Sequence, residues 1–213
     1  FERSGDSPQN NYDLRSEWAV SSTDRTHRFT AGWVAELPFG RGKPIGSHAP
    51  VVLSRLISHW QINGTTTLES GTPLSFSVTP NNTNALGGGA RPNSTGVSAR
   101  RDSYQGTTDM LAKYFDTSQF VRPDPFAFGN LGRRINDVRG FPHRRVDLSL
   151  FWKTPIREMM DFHLRFEAIN AFNRTDFANP NTTLGNLAFG RISGVQQEAN
   201  PARQVQLSAR ITF

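Results

Sequence analysis

Five stretches of this chain set apolar and polar side chains alternately, one residue at a time. Along 203–213, Val205, Leu207, Ala209, Ile211 and Phe213 fall on one side, and Gln204, Gln206, Ser208, Arg210 and Thr212 on the other. Along 28–37, Phe29, Ala31, Trp33, Ala35 and Leu37 oppose Arg28, Thr30, Gly32, Val34 and Glu36. Along 144–153, Val146, Leu148, Leu150 and Trp152 oppose Arg145, Asp147, Ser149 and Lys153, with Phe151 the exception on the polar side. Along 160–170, Met160, Phe162, Leu164, Phe166 and Ala168 oppose Asp161, His163, Arg165 and Glu167. The remaining run starts at Leu56 and carries Trp60, Ile62 and Leu68 on its apolar side. It is expected to continue past a kink at Gly71-Thr72-Pro73 through Leu74, Phe76 and Val78, giving a strand over 56–78. Period two marks a β-strand with one oily and one wet face, because successive side chains point to opposite sides.

The connections between these runs alternate in length. Segments 38–50 and 154–158 read as turns, whereas 79–142 and 171–201 are long. Loops of that length are foreign to compact soluble domains. They suit a barrel in an outer membrane, which has short periplasmic turns and long external loops. A strand tilted across hydrocarbon needs about 9–11 residues, which these runs supply. Nearly every ionisable side chain of the runs falls on the polar face, as a wet lumen tolerates and a dry sandwich core does not. The expected fold is therefore all-β: a segment of an antiparallel up-and-down transmembrane β-barrel. Trp33, Trp60 and Trp152 lie on the apolar faces and are expected in the aromatic girdles at the membrane interfaces.

Composition narrows the alternatives. The chain has 213 residues, 36% of them hydrophobic, and a mean hydropathy of −0.52. No apolar run reaches the roughly 18 residues of a spanning helix, which leaves barrel strands as the membrane option. There is no cysteine, so disulfide and zinc-thiolate frameworks are excluded. The net charge of +6 raises nucleic acid or anionic lipid as partners. The arginines are scattered singly or in pairs, such as Arg100-Arg101, Arg133-Arg134 and Arg144-Arg145. They read as solvated loop and lumen charge, and no nucleic-acid partner is expected. The chain begins at Phe1 without a charged-then-apolar leader and is read as a piece of a longer protein.

Chemistry-bearing motifs are weak. Gly40-Arg41-Gly42-Lys43 lacks phosphate-loop spacing and a following helix, so it reads as a periplasmic turn. His27, His48, His59, His143 and His163 show no ligand spacing. Asp147, Asp161 and Glu167 alternate with Arg145 and Arg165 and read as lumen charges. No nucleophile elbow is present around Gly71-Thr72 or Ser103. The sequons at Asn63, Asn93 and Asn181 carry no weight in a bacterial loop. No catalytic, cofactor-binding or metal residue is expected, and no enzymatic activity. The aromatics and arginines of Tyr104–Phe141 could meet a ligand, or Phe115, Phe120, Phe126 and Phe128 only pack the loop against itself or the barrel rim, and no substrate-binding residue is assigned.

Several stretches resemble the C-terminal barrel of TonB-dependent outer-membrane receptors, in particular the Oar-like group with a carboxypeptidase-regulatory-like N-terminal domain. They are HRFTAGWVAELPFGRGK (His27–Lys43), WQINGTTTLESGTPLSF (Trp60–Phe76), YFDTSQFVRPDPFAFGNLGR (Tyr114–Arg133), RRVDLSLFWKTPI (Arg144–Ile156) and LRFEAINAFNRTDFANP (Leu164–Pro180). The resemblance implies a barrel of about 22 strands, of which this chain supplies about the last five. It implies uptake of a bulky solute across the outer membrane of a Gram-negative bacterium, without catalysis or cofactor. The implied partners are outer-membrane lipid, the rest of the barrel and its plug, the barrel-assembly machinery, and TonB through an N-terminal region outside this chain. The terminal strand is similar to the assembly signal at Gln206, Ile211 and Phe213, with Ser208 where glycine is usual and Ile211 aliphatic rather than aromatic.

Two rival readings make opposite demands. A secreted all-β adhesion or carbohydrate-binding module requires Trp33, Trp60, Trp152 and Phe162 in a dry core against a second sheet. A basic nucleic-acid-binding domain requires the arginines to converge on one surface. The barrel reading also predicts that the five strands alone, with two open edges, would aggregate.

Overall fold

The computed structural model describes residues 8–85, 89–196 and 201–213. The chain divides into two compact units. A wall unit comprises Arg28–Glu69, His143–Asp176 and Gln196–Phe213, and a loop unit comprises Phe1–His27, Ser70–Pro142 and Phe177–Val195.

The wall unit is one five-stranded sheet: β1 (Arg28–Glu36), β2 (Trp60–Glu69), β3 (His143–Arg157), β4 (Met160–Ile169) and β5 (Gln204–Thr212). Neighbours in sequence are neighbours in the sheet, and every pair is antiparallel. Register keeps the apolar and polar rows apart, with Val34 and Phe151 the exceptions on the polar side. Ala35, Ile62, Leu150, Phe166 and Leu207 form one row across all the strands, and Val34, Asn63, Ser149, Glu167 and Gln206 form the next. A one-residue slip at any ladder would mix the faces.

The apolar face is uncovered within this unit: Trp33 is 40% exposed, Phe166 44% and Leu207 68%. Among the described residues of the unit no second sheet packs on it. Among the described residues of this unit, the dry core demanded by the adhesion-module reading is missing. On the polar face the charges pair within or between strands: Arg165–Glu167 at 2.6 Å, Lys153–Asp161 at 2.8 Å, Arg145–Asp147 and Arg28–Glu69 at 2.9 Å.

The expected strand over 56–78 is corrected. Leu56 belongs to a helix, α1 (Val51–Ile57), and the chain turns at His59, whose φ is +63°, before β2 starts at Trp60. Leu56, Trp60 and Ile62 share an even parity that imitated one strand. After Glu69 the chain leaves the sheet, and Leu74, Phe76 and Val78 enter the core of the loop unit instead. The turn expected at 154–158 also shifts, because β3 continues to Arg157 and the reversal falls at Glu158-Met159.

The loop unit has its own hydrophobic core, one of the readings left open for Phe115 and Phe120. Leu74, Phe76, Ala99, Phe115, Phe120, Leu131 and Val138 are buried together. Phe76 stacks on Phe120 at 4.3 Å, while Phe115 and Phe189 meet edge-on at 5.3 Å. Offset and edge contacts of this kind add to the area term that drives burial. Short ladders tie the segments together: Pro73–Leu74 with Ile135–Arg139, Asn93–Ser94 with Phe120–Val121, and Ser77–Val78 in parallel with Thr183–Leu184. The segment preceding β1 joins through a buried ion pair, Arg91 to Glu17 at 2.7 Å, with Gln9 accepting from the Arg91 backbone N–H and donating to the Gly129 carbonyl. Burial lowers the Arg91 pKa, and Glu17 opposes that shift.

Candidate functional site

Within the loop unit a cleft of about 590 Å³ opens between the ends of several segments. His27, Ser70, Arg100, Arg101, Tyr104, Tyr114, Asn136, Asp137 and Arg139 line it. One wall is an aromatic pair: the Tyr104 and Tyr114 rings lie 6.1 Å apart and nearly parallel, and the Tyr104 hydroxyl donates to the Tyr114 carbonyl at 2.7 Å. The Arg101 guanidinium sits 5.0 Å from the Tyr104 ring centre and forks onto Asp109 at 2.8 and 3.2 Å. It also donates to the Lys113 carbonyl. Helix α2 (Thr107–Ala112) presents Asp109 for this contact.

The opposite wall is equally fixed. Arg139 donates to the Asp24 carboxylate at 2.7 Å and to the Gly71 carbonyl at 3.2 Å, and also reaches the Asn136 side chain. Asp137 accepts from the Ser98 hydroxyl and the Ala99 N–H, each at 3.1 Å. Burial pushes the Tyr104 and Tyr114 phenols up, so both stay neutral hydrogen-bonding groups at neutral pH. The hydrogen bond from Arg101 holds the Asp109 carboxyl below its ordinary range. Arg100 is the outlying charge, paired at 3.3 Å with an Asp102 that is itself in solvent. A preorganised polar cleft with a flat aromatic wall and a solvent-facing guanidinium suits a hydroxyl-rich or anionic solute.

The wall unit holds a second ordered constellation at the start of the loop after β4. Asn170 takes a left-handed conformation, φ +50°, which asparagine tolerates. Its N–H donates to Asp147 at 2.8 Å, and its amide holds the carbonyls of Arg174 and Pro201 at 2.8 and 2.9 Å. Asp176, fully buried, pairs with His143. The NAFNRTDF run is thus a loop clamp.

A family model for an outer membrane beta barrel domain matches residues 1–206. This chain belongs to that family. No curated protein and no solved structure matches it. Membership fixes the meaning of the two sheet faces and places the protein in the outer membrane. The oily row through Leu150 and Leu207 is the hydrocarbon-facing surface of the barrel, and the paired charges line its interior. The short β3–β4 reversal beside the long connections follows the length asymmetry of such barrels, whose periplasmic turns are short.

Other residues singled out by the sequence are spread over the barrel. Gln206 and Ser208 sit on its inner face opposite Glu167 and Arg165, and Ile211 on its outer face opposite Phe162, with Phe213 beyond the last paired residue. His27 lines the cleft, His143 pairs with Asp176, and His163 approaches Thr212 at 3.2 Å. Among the described residues no three His, Asp or Glu side chains converge as metal ligands would. Gly40 to Lys43 form a turn. Of the loop aromatics, Phe115 and Phe120 are core, Tyr104 and Tyr114 form the cleft wall, and Phe126 is 76% exposed. Arg139 and Asp137 were missed, because nothing in a linear reading sets a residue of 134–140 beside Tyr104.

Proposed function

We propose that this barrel is the C-terminal part of a TonB-dependent receptor that takes up a bulky polar solute, with the cleft of the loop unit as its external contact point and no catalysis. The observation that carries the reading is the folded loop unit. An open diffusion pore gains nothing from a buried aromatic core and a cleft of fixed arginines and tyrosines, whereas a receptor needs a preorganised surface. The resemblance of 27–43, 114–133 and 164–180 to Oar-like receptors supports the same reading. Pairing of Arg91, Arg101, Arg139, Arg145 and Arg165 with carboxylates supports it over a nucleic-acid surface. The implied partners are TonB, the plug, the remaining strands and the assembly machinery.

The test uses the full-length protein in planar bilayers and in detergent. A plugged receptor shows no steady ion conductance and binds the purified TonB C-terminal domain in calorimetry. A constitutively conducting barrel that ignores TonB would overturn the proposal.

A further inference from the structure

Helix α1 lies in the connection between β1 and β2, at the sheet end that also carries the short β3–β4 reversal expected on the periplasmic side, and it turns its apolar side chains outward. Val52 is 75% exposed, Leu56 54% and Leu53 49%. These three positions share one flank of the helix, while Ser54 on the other side is buried. Its placement is fixed by two tryptophans of the hydrocarbon-facing surface. Trp60 and Trp152 are cross-strand partners that stack at 5.7 Å. The Trp60 indole N–H donates to the Leu56 carbonyl at 2.8 Å, and that of Trp152 to the Ser58 carbonyl at 2.9 Å. Girdle tryptophans usually spend that N–H on the headgroup region. Here the C-terminal end of α1 supplies the acceptors, so the helix sits against the lipid side of the barrel at its periplasmic rim.

Beside the helix is a pocket of about 280 Å³ lined by Phe39, Arg41, Lys43, Val51, Arg55 and His59, together with two serines. Lys43 is paired with Glu36 at 2.9 Å. Among the described residues, neither Arg41 nor Arg55 has a carboxylate partner. We propose that α1 and this pocket form a lipid anchor in the periplasmic leaflet: Val52, Leu53 and Leu56 enter the acyl region, and Arg41 and Arg55 hold the phosphate of an anionic phospholipid. The occupant follows from continuity of the helix with the hydrocarbon-facing surface and from the cationic pocket at headgroup depth. The inference rests on barrel membership and on short turns lying at the periplasmic side, and stands whether or not the barrel transports a solute.

The test places the intact barrel in nanodiscs of phosphatidylcholine containing a minority of phosphatidylglycerol. A bimane label on Leu53→Cys should be quenched by brominated acyl chains and sheltered from aqueous iodide, while one on the exposed Leu187→Cys shows the reverse. A Leu53 label open to iodide, or sheltered from both quenchers as under a protein partner, overturns the proposal. In native mass spectrometry, Arg41→Gln and Arg55→Gln should each lower retained phosphatidylglycerol about fivefold, with heat-modifiable gel mobility confirming a folded barrel. Unchanged retention in both folded variants, or displacement of the lipid by millimolar inorganic phosphate, would sink the headgroup site.

Discussion

Trp33 on β1 lies across Gly64 on β2, its directly opposed partner, so that a β-carbon built at position 64 would stand 2.3 Å from the indole. Trp33 is the residue that fills the space above this glycine. It lies midway along the strand pair and shields a glycine that has no side chain of its own to cover the backbone. Gly64→Val should force the indole off and cost about 1–3 kcal/mol. The urea midpoint of the intact barrel in detergent, read by tryptophan emission, would show the drop. Trp33→Ala should recover part of it in the double variant, because the two changes share one space.

Adjacent residues on β3 test which face meets lipid. Leu150→Arg puts a charge into hydrocarbon and should destabilise the barrel by about 2 kcal/mol or more. Ser149→Arg, opposite Glu167 on the inner face, should cost under about 1 kcal/mol. Equal losses in folding titrations into lipid vesicles would contradict the assignment of faces.

Loop aromatics divide into core and surface. Phe115→Ala removes a fully buried ring and should cost the loop unit about 3–5 kcal/mol. Phe126→Ala, at a ring largely in solvent, should stay within about 0.5 kcal/mol. Limited proteolysis of the intact protein would separate them: rapid cleavage within 70–142 for the first variant and none beyond the parent rate for the second.

Acid should loosen the loop unit at Asp116. Its carboxylate accepts from Gln119 at 2.9 Å, from Lys113 at 3.0 Å and from the Ser118 hydroxyl at 3.0 Å, and these bonds hold its pKa well below the ordinary value. A depressed folded-state pKa means the stabilisation is complete above the unfolded value, near about 4, and fades as pH falls toward the folded one. Hydrogen-exchange protection over 113–121, taken relative to the intrinsic rate at each pH, should fall below about pH 4 in the parent, and Asp116→Asn should abolish that acid dependence.

The period-two runs of β1, β3, β4 and β5 were legible because a strand between lipid and water must alternate, and alternation survives in the sequence without any partner being known. The run at 56–78 was legible only in part. A helix of apolar residues beside a strand imitates the same parity, and tertiary hydrogen bonds from Trp60 and Trp152 to the carbonyls of Leu56 and Ser58 place it. The cleft was not legible at all. Tyr104, Asp109, Arg101 and Arg139 come together because Phe76, Phe115, Phe120 and Phe189 bury one another, a choice made by packing between segments far apart in the chain. The sequence by itself determined which side chains face lipid and which face water, since that requirement is local to each strand. Only the tertiary structure decided that the long connections fold, that Trp33 covers Gly64, and that α1 lies against Trp60 and Trp152, because each depends on which distant residues become neighbours.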